Sequence, residues 1–305
     1  MSKIRTVLGD ISAEALGPTL SHEHVICDFI GAYRTNRYRY DPEEVFEVML
    51  PYLKEMRQLG ITGFVDCTPA YIGRDEKLLA RLSRESNIQI LTNTGLYKEP
   101  FLPRYVFELP EDEVAKVWIR EIEEGINDTY IRAGFIKIAV NPGRIIPIQQ
   151  KIIRAAIQCS LRTGASVMCH TGEREAAMDF LKISLQEGAD PNKLVVAHCD
   201  SIEDTNCHIK IAKSGAWLGY DGIGASTCER DVQLIKVISE NGLEDRLLVS
   251  QDAGWYNVGE SRGGKIRGYS FLVNSFIPLM LEKGLRQDLV NKILVRNPAL
   301  AFQIG

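Results

Sequence analysis

Short apolar runs alternate with longer amphipathic segments from one end of the chain to the other. Eight of these runs are rich in Val, Ile, Leu and Cys and are nearly uninterrupted by polar residues, which is typical of strands covered on both faces. They lie at residues 19–24, 63–68, 89–95, 135–140, 166–171, 194–199, 217–221 and 247–252. Because a helix-length segment separates each run from the next, we expect a parallel sheet.

The segments between the runs carry helix signals. Asp41, Pro42 and two following glutamates form a typical helix start, with an N-cap, a proline in the first turn and acidic side chains near the positive end of the helix dipole. The predicted helices lie at about 41–59, 75–85, 111–126, 148–163, 173–187, 203–214, 229–241, 269–283 and 286–302. Strict alternation of eight strands with these helices predicts an α/β fold, a (β/α)8 TIM barrel.

A doubly wound open sheet is the structural alternative to the barrel. No glycine-rich dinucleotide fingerprint follows the first predicted strand, and this disfavours the open sheet. The chain contains no linker, repeat or low-complexity segment. We therefore expect residues 1–305 to form a single TIM-barrel domain.

Composition excludes several classes of partner. The chain is 45% hydrophobic and 25% charged, and its formal net charge of −4 argues against a nucleic-acid partner. Neither a stretch of about 18 apolar residues nor the apolar core of a signal peptide is present, so we expect no membrane partner and no secretion. The seven cysteines contain no CxxC pair, which fits a reducing cytoplasm. We expect a cytoplasmic protein that acts on a small molecule.

Potential metal ligands stand at the carboxyl ends of the apolar runs. The first run contains an HxH pair, and two later runs end in histidine, one in lysine and one in aspartate. Side chains two apart on a strand share a face, so both histidines of the pair can bind one ion while Glu23 points the other way. A single buried histidine is more often bonded to a carbonyl, but the combined set predicts a metal hydrolase site at the barrel mouth. The predicted ligands are His22, His24, Lys137, His170, His198 and Asp252.

Lys137 is the unusual member of this set. A lysine that closes an apolar strand faces a desolvation cost, and a neutral amine can add carbon dioxide to form a carbamate. The carbamate is an anion able to bridge two cations. The residues alone favour simpler alternatives, in which Lys137 pairs with a carboxylate such as Asp252 or points to solvent.

The ordered motifs SHEH, GFIKIAV, CHTG, AHCD and SQDA resemble the phosphotriesterase family of the amidohydrolase superfamily. The segments TNTGLY and NPALAF extend the resemblance over nearly the whole chain. It implies two divalent cations, zinc first, with Mn, Co or Fe as alternatives. It also implies a homodimer. In the implied centre one cation is held by His22, His24 and Asp252 and the other by His170 and His198, with carbamylated Lys137 and a hydroxide bridging them.

The resemblance further implies a reaction. The bridging hydroxide attacks a carbonyl carbon or a phosphorus, and Asp252 accepts the proton and passes it outward. Tyr97, in TNTGLY, matches a tyrosine that lactonase-like members place beside the hydroxide, which favours a lactone substrate. Gly222 follows Asp221 where related lactonases often carry arginine, so long-chain acyl-homoserine lactones are disfavoured. Alternatives are a carboxylic ester or N-acyl amide hydrolase, an organophosphate hydrolase, and a non-catalytic binding protein.

Basic residues in the predicted loops suggest an anionic substrate. Loops at this end of a barrel often bind anions, so we expect a sugar lactone or phosphorylated sugar lactone, with weak organophosphate hydrolysis as a side activity. The alternative is a solvated loop whose charges aid solubility. We place His208 on a helix surface, away from any metal. The candidate substrate-binding residues are Lys98, Arg174, Arg262, Lys265 and Arg267.

Overall fold

The structure is a computed structural model that describes residues 2–304. A small antiparallel sheet, with strand order β13-β1-β2, is formed by β1 (Lys3–Thr6), β2 (Gly9–Ser12) and β13 (Gln303–Ile304). The remaining strands are parallel to one another. They are β3 (Thr19–Cys27), β4 (Gly63–Asp66), β5 (Gln89–Leu91), β6 (Asn93–Thr94), β7 (Phe135–Ala139), β8 (Val167–His170), β9 (Leu194–Ala197), β10 (Trp217–Tyr220), β11 (Leu247–Val249) and β12 (Gly254–Asn257).

The parallel strands form the (β/α)8 barrel that the alternating pattern predicts. Their hydrogen bonds give two ladders, ordered β11-β10-β9-β8-β7-β6 and β12-β3-β4-β5. On one side the ladders meet at Thr92, which separates β5 from β6 within a single predicted strand. On the other side the Asp252 amide donates to the His22 carbonyl at 3.1 Å, and the His24 amide donates to the Ala253 carbonyl at 2.9 Å.

Helices cover the outside of the barrel. They are α1 (Pro42–Gln58), α2 (Glu76–Ser86), α3 (Tyr105–Glu108), α4 (Glu111–Glu123), α5 (Pro147–Thr163), α6 (Arg174–Gln186), α7 (Thr205–Lys213), α8 (Cys228–Glu240), α9 (Ile277–Glu282), α10 (Gln287–Asn291) and α11 (Asn297–Phe302). Helix α1 begins as predicted, because the Asp41 carboxylate accepts from the Glu43 amide at 2.9 Å. Within residues 2–304, no helix combines the length and the apolar character needed to cross a membrane.

The last two predicted helices are each divided. A π-helical segment, Leu272–Phe276, precedes α9, and another, Lys292–Arg296, joins α10 to α11. Pro278 and Pro298 lie just after these segments. Since proline has no amide hydrogen, the α-helical hydrogen bonds are interrupted at Pro278 and Pro298. The residues just before each proline form the wider π-type hydrogen bonds instead.

Strand alternation divides the core into two layers. Phe135, Met168, Val195 and Trp217 belong to a cluster inside the barrel. Their neighbours along the strands, such as Ile136, belong to the larger cluster between the sheet and the helices. The described cysteines are all free thiols, as expected, and most are buried in these layers.

The end of the barrel opposite the metal-ligand candidates is filled by the C-terminal helix. Phe302 is fully buried, and its ring meets that of Phe135 edge-on at a centroid distance of 5.3 Å. We expect Phe302→Ala to reduce the free energy of unfolding by about 3–5 kcal/mol, since it leaves a cavity in this plug. Chemical denaturation measures the change. Leu300→Ala, at a position 39% exposed on the same helix, is the control, and equal losses in both variants would contradict the plug.

One sequence prediction is wrong in the helical layer. His208 is not on the surface of α7 but fully buried. Its Nδ1 pairs with the Tyr220 hydroxyl at 2.6 Å, and its Nε2 pairs with the Ile202 carbonyl at 2.9 Å. The reason is helical spacing, because His208 shares a face with the buried residues Ile211 and Ala212, three and four positions later.

Candidate metal centre

The structure brings all six predicted ligands together at the carboxyl end of the barrel strands. Ring centroids of His22 and His198 are 5.0 Å apart, and those of His170 and His198 are 4.4 Å apart. The amine of Lys137 lies 3.2 Å from His22 Nε2. Asp252 Oδ1 lies 3.0 Å from Nε2 of His24. The six side chains therefore form one cluster contributed by five different strands or the loops that follow them, since His22 and His24 share β3.

Strand alternation explains two of these placements. Lys137 has the same parity as Phe135, and His170 the same parity as Met168, and both of those residues face the barrel interior. Residues two apart on a strand point to the same side. Lys137 and His170 therefore point into the barrel. Each lies two residues nearer the mouth than Phe135 or Met168 on the same strand.

His198 and Asp252 reach the cluster differently. The sequence places both at the ends of strands, but β9 ends at Ala197 and β11 at Val249. His198 and Asp252 both adopt left-handed backbone conformations, with φ of 61° and 51°. Such angles are uncommon outside glycine and cluster at functional sites. The chain thus leaves the strand before each ligand, and a turn directs the side chain to the centre.

Three side chains meet the donor requirements of a divalent cation. The ligand atoms of His22, His24 and Asp252 all lie within 4.8 Å of one another. Asp252 Oδ1 is buried and makes no hydrogen bond of good geometry among the described residues, although Nε2 of His24 and of His22 lie 3.0 and 3.9 Å away. A buried carboxylate oxygen without a well-formed hydrogen bond is costly unless something compensates it. Two imidazoles and one carboxylate fit a zinc-like ion.

Asp221 links the two halves of the cluster. Its Oδ2 accepts from His22 Nδ1 at 2.7 Å, and its Oδ1 contacts His198 Nδ1 at 2.6 Å. Burial raises the pKa of Asp221, but His198 and His22 outweigh it and hold this pKa well below its usual range. His24 Nδ1 is similarly 2.7 Å from the Thr68 hydroxyl. These contacts leave the Nε2 atom of each ring available to a metal.

Sequence reasoning missed the role of Asp221. The available signal was its position one residue after β10, where an aspartate ends the seventh apolar run. We expect Asp221→Asn to weaken metal binding by about 10–100-fold, because the two histidines lose the anion that orients them. Competition with a chromophoric chelator measures the affinity. Asp112→Asn, on the exposed face of α4, is the control, and unchanged affinity in Asp221→Asn would contradict the orienting role.

Two imidazoles of the cluster, those of His22 and His170, are shifted toward the neutral, ligating form. Burial and the nearby Lys137 lower the pKa of His22 to about 4. Burial and the neighbouring His198 and Lys98 hold the pKa of His170 well below its ordinary value. His198 differs: burial lowers its pKa, but the Asp221 carboxylate more than offsets this and the net shift is upward.

Lys137 is buried, with 2% of its surface exposed. Within residues 2–304, no carboxylate oxygen lies within 4.0 Å of its amine. The two simpler alternatives, an ion pair with Asp252 and a solvent-facing amine, are therefore not what the structure has. The amine lies instead among the imidazoles, next to His22.

Two residues of the third loop join the cluster from outside. The Tyr97 ring meets His170 edge-on at a centroid distance of 5.5 Å, and Lys98 Nζ lies 2.8 Å from His170 Nε2. Burial, followed by the Asp252 charge, raises the pKa of Tyr97 to about 12. Its hydroxyl is therefore protonated at neutral pH and can donate a hydrogen bond.

The other basic candidates lie further out. Arg174 pairs with Asp204 at 3.1 Å and is 63% exposed. Arg262 and Lys265 are exposed and form no ion pair within the described part of the chain. Arg267 is exposed as well, but its guanidinium donates to two backbone carbonyls. The structure thus separates Lys98, which contacts a candidate ligand, from the four arginines and lysines of the rim.

An aromatic wall that the sequence reasoning missed borders the cluster. The Trp255 ring stacks on His24 at a centroid distance of 3.9 Å, and its Nε1 donates to the Asp252 carbonyl at 2.7 Å. Phe29 lies between Trp255 and Tyr97, 5.8 and 5.9 Å from their centroids. A flat, apolar face is therefore available to a substrate beside the candidate ligands.

Comparison with known proteins decides the family. The family model described as "Phosphotriesterase family" matches residues 2–302. The chain belongs to this family. Members of the phosphotriesterase family are hydrolases, and the cluster of histidines and aspartates can hold the metal on which that family depends.

Three relatives carry names that describe different reactions. An aryldialkylphosphatase from Saccharolobus solfataricus is 26% identical, over 96% of each chain. An N-acetyltaurine hydrolase from Xenopus tropicalis is 25% identical, over 97% of this chain and 96% of its own. A phospho-furanose lactonase from Mycoplasmopsis synoviae is 29% identical, over 98% of this chain and 91% of its own. Each alignment covers nearly the whole barrel.

Proposed function

We propose that the protein is a binuclear metal-dependent lactonase acting on a sugar lactone or phosphorylated sugar lactone, with weak organophosphate triesterase activity. The observation that carries this proposal is the convergence of His22, His24 and Asp252 on one point, with Lys137 beside them. The protonated Tyr97 hydroxyl at the entrance favours a carbonyl substrate that accepts a hydrogen bond.

In this proposal each cation has its own set of ligands. His22, His24 and Asp252 hold the more buried cation, and His170 and His198 hold the more exposed one. Addition of carbon dioxide to the Lys137 amine, with release of a proton, would give a carbamate, and this residue would then be an anionic oxygen ligand for the cations. When bound, two such cations polarise the substrate oxygen and make water acidic enough to react as hydroxide at neutral pH.

The chain's own residues complete the reaction. Asp252 accepts the proton released by the attacking water, and its side chain, 27% exposed, passes that proton outward. Burial raises the pKa of Asp252, but His24 and His22 lower it more, so the carboxylate is ionised at neutral pH. Tyr97 donates to an oxygen of the substrate, and the rings of Trp255 and Phe29 lie against its apolar face.

The names of the relatives support a lactone substrate and also indicate two alternative substrate classes. The phospho-furanose lactonase name supports the lactone, whereas the N-acetyltaurine hydrolase and aryldialkylphosphatase names support an N-acyl amide and a phosphotriester. A pH-indicator screen compares sugar lactones and phosphorylated sugar lactones with esters, acyl amides and paraoxon-like triesters. We expect the largest kcat/KM for a lactone. If kcat/KM for an amide or a triester is ten times larger than for any lactone, the lactonase proposal is rejected in favour of that substrate class.

Metal removal tests the dependence on cations. We expect dialysis against a chelator to abolish hydrolysis, and zinc or manganese added with bicarbonate to restore it, because His22, His24 and Asp252 then regain their ion. Elemental analysis after restoration is expected to give two ions per chain. Less than one ion per chain would favour a non-catalytic binding protein.

A further inference from the structure

Arg267 lies between the loops that carry Asp221 and Asp252, and hydrogen bonds fix both its backbone and its side chain. The backbone of Arg267 exchanges two hydrogen bonds with Gly254, at 3.1 and 2.8 Å. Its guanidinium donates from Nη1 to the Gln251 carbonyl and from Nη2 to the Ile223 carbonyl, each at 2.7 Å. Four hydrogen bonds therefore hold both the backbone and the head group of Arg267 in place.

The charge of this arginine is not neutralised. All of its hydrogen-bond partners are neutral backbone groups, and within residues 2–304 no carboxylate lies within 4.0 Å of its guanidinium. Arg174, by contrast, is paired with Asp204. A guanidinium has five N–H donors, and the two carbonyls use only two of them. Since Arg267 is exposed, the remaining donors can reach a ligand.

The two carbonyls place this charge between the loops that carry the carboxylates of the centre. Gln251 directly precedes Asp252, and Ile223 follows Asp221 by two residues. The guanidinium also occupies space that another side chain would need, because a Cβ on Gly224 would lie 2.9 Å from Nη2. Glycine at position 224 therefore leaves the space that the Arg267 guanidinium occupies.

Gly222 fits the same arrangement. A Cβ there would lie 2.7 Å from Asp200 Oδ2, which accepts from the Gly222 amide at 2.9 Å. The seventh loop thus lacks a basic side chain of its own at this position, and Arg267 brings a positive charge to that loop from the eighth.

We propose that Arg267 binds an anionic group of the substrate, a phosphate or a carboxylate, while the lactone lies at the metal centre. This inference rests on the proposed function and names the residue that reads the substrate's charge. The guanidinium fork can pair two N–H groups with two anionic oxygens. Because Arg267 is ordered before the substrate arrives, little further entropy is lost on binding. Arg262 and Lys265, which lack such fixed contacts, contribute only diffuse attraction.

Matched substrates and a charge-removing variant test this role. Arg267→Gln keeps an amide donor for a loop carbonyl but removes the charge. We expect it to lower kcat/KM for a phosphorylated lactone or a sugar-acid lactone by about 10–100-fold, mainly through KM, since a hydrogen bond to a charged group is lost. The uncharged lactone with the same ring is expected to change by less than about threefold. The charged substrate with the larger loss identifies phosphate or carboxylate as the ligand.

Two further variants separate charge from folding. Arg267→Lys is expected to keep part of the preference for charged lactones, and this preference should fall as ionic strength rises. Arg84→Gln, an exposed arginine of α2, is the control and is expected to leave all ratios unchanged. Thermal unfolding of each variant shows whether the loops remain folded.

Three outcomes would overturn the inference. If Arg267→Gln lowers kcat/KM equally for charged and uncharged lactones, Arg267 only links the two loops. A wild-type enzyme without preference for anionic lactones would remove its ligand. Full retention of that preference in Arg267→Gln would place the anion site elsewhere. If no lactone is hydrolysed, the proposed function fails, and charged and uncharged esters or amides then test Arg267 in the same variants.

Discussion

Replacing Asp252 with asparagine is expected to lower kcat/KM by about 10⁴-fold, the upper range for removal of a general acid–base group. The amide keeps the size of the side chain but cannot accept a proton at neutral pH. It also removes the anionic oxygen that lies 3.0 Å from His24 Nε2. Steady-state kinetics on the best lactone measure the loss, and elemental analysis of the same sample gives its metal content.

These two measurements separate the roles of Asp252. Retention of metal with loss of kcat indicates the proton-accepting role, whereas loss of metal indicates that the carboxylate acts chiefly as a ligand. Asp245→Asn is the matched control, since Asp245 pairs with Lys292 on the surface and precedes β11, at the opposite end of that strand from Asp252. An Asp252→Asn enzyme with more than a tenth of the wild-type kcat/KM would contradict both roles.

The barrel was predictable because its strands are apolar on both faces. Each predicted run corresponds to a strand or, at residues 89–95, to β5 and β6 in succession. The strands β1, β2 and β13 were not predicted, because the edge of this small sheet is exposed and polar, as in Gly9–Ser12. Short edge strands lack the periodic apolar signal on which the prediction depends. The π-helical segments were missed because both prolines lie inside long apolar patterns.

The candidate site was predictable where chemistry and strand position coincide. The histidines, Lys137 and Asp252 combine a ligand-type side chain with a predicted strand end, and the structure brings them together. Asp221 also ends an apolar run, but it belongs to none of the motifs from which the ligands were predicted. Trp255 had no such signal, since its contact with His24 depends on a left-handed turn with φ of 70°. Contacts between loops from different strands, like those of Arg267, cannot be seen in the pattern of one segment.

The parity that places Lys137 in the barrel interior leads to the second large effect. A buried amine without a carboxylate partner has no structural advantage over an apolar side chain, because its desolvation is not repaid by an ion pair. Lys137 nevertheless occupies the centre of the imidazole cluster, next to His22. This cost is understandable if the amine is consumed as a carbamate, whose two oxygens are cation ligands.

We therefore expect Lys137→Ala to lower kcat/KM by about 10³-fold or more, with the occupancy of at least one metal reduced, because a ligand of the metal is lost. Acetate or propionate is expected to restore part of the activity, since a small carboxylate can enter the space left by the side chain and supply the missing oxygens. Lys116→Ala, on the exposed face of α4, is the control and should respond to neither acid.

Mass spectrometry of the native wild-type protein is expected to show the added mass of carbon dioxide, which acid treatment removes. Full activity in Lys137→Ala without added acid would show that the centre needs no bridging anion, and the buried lysine would then be unexplained.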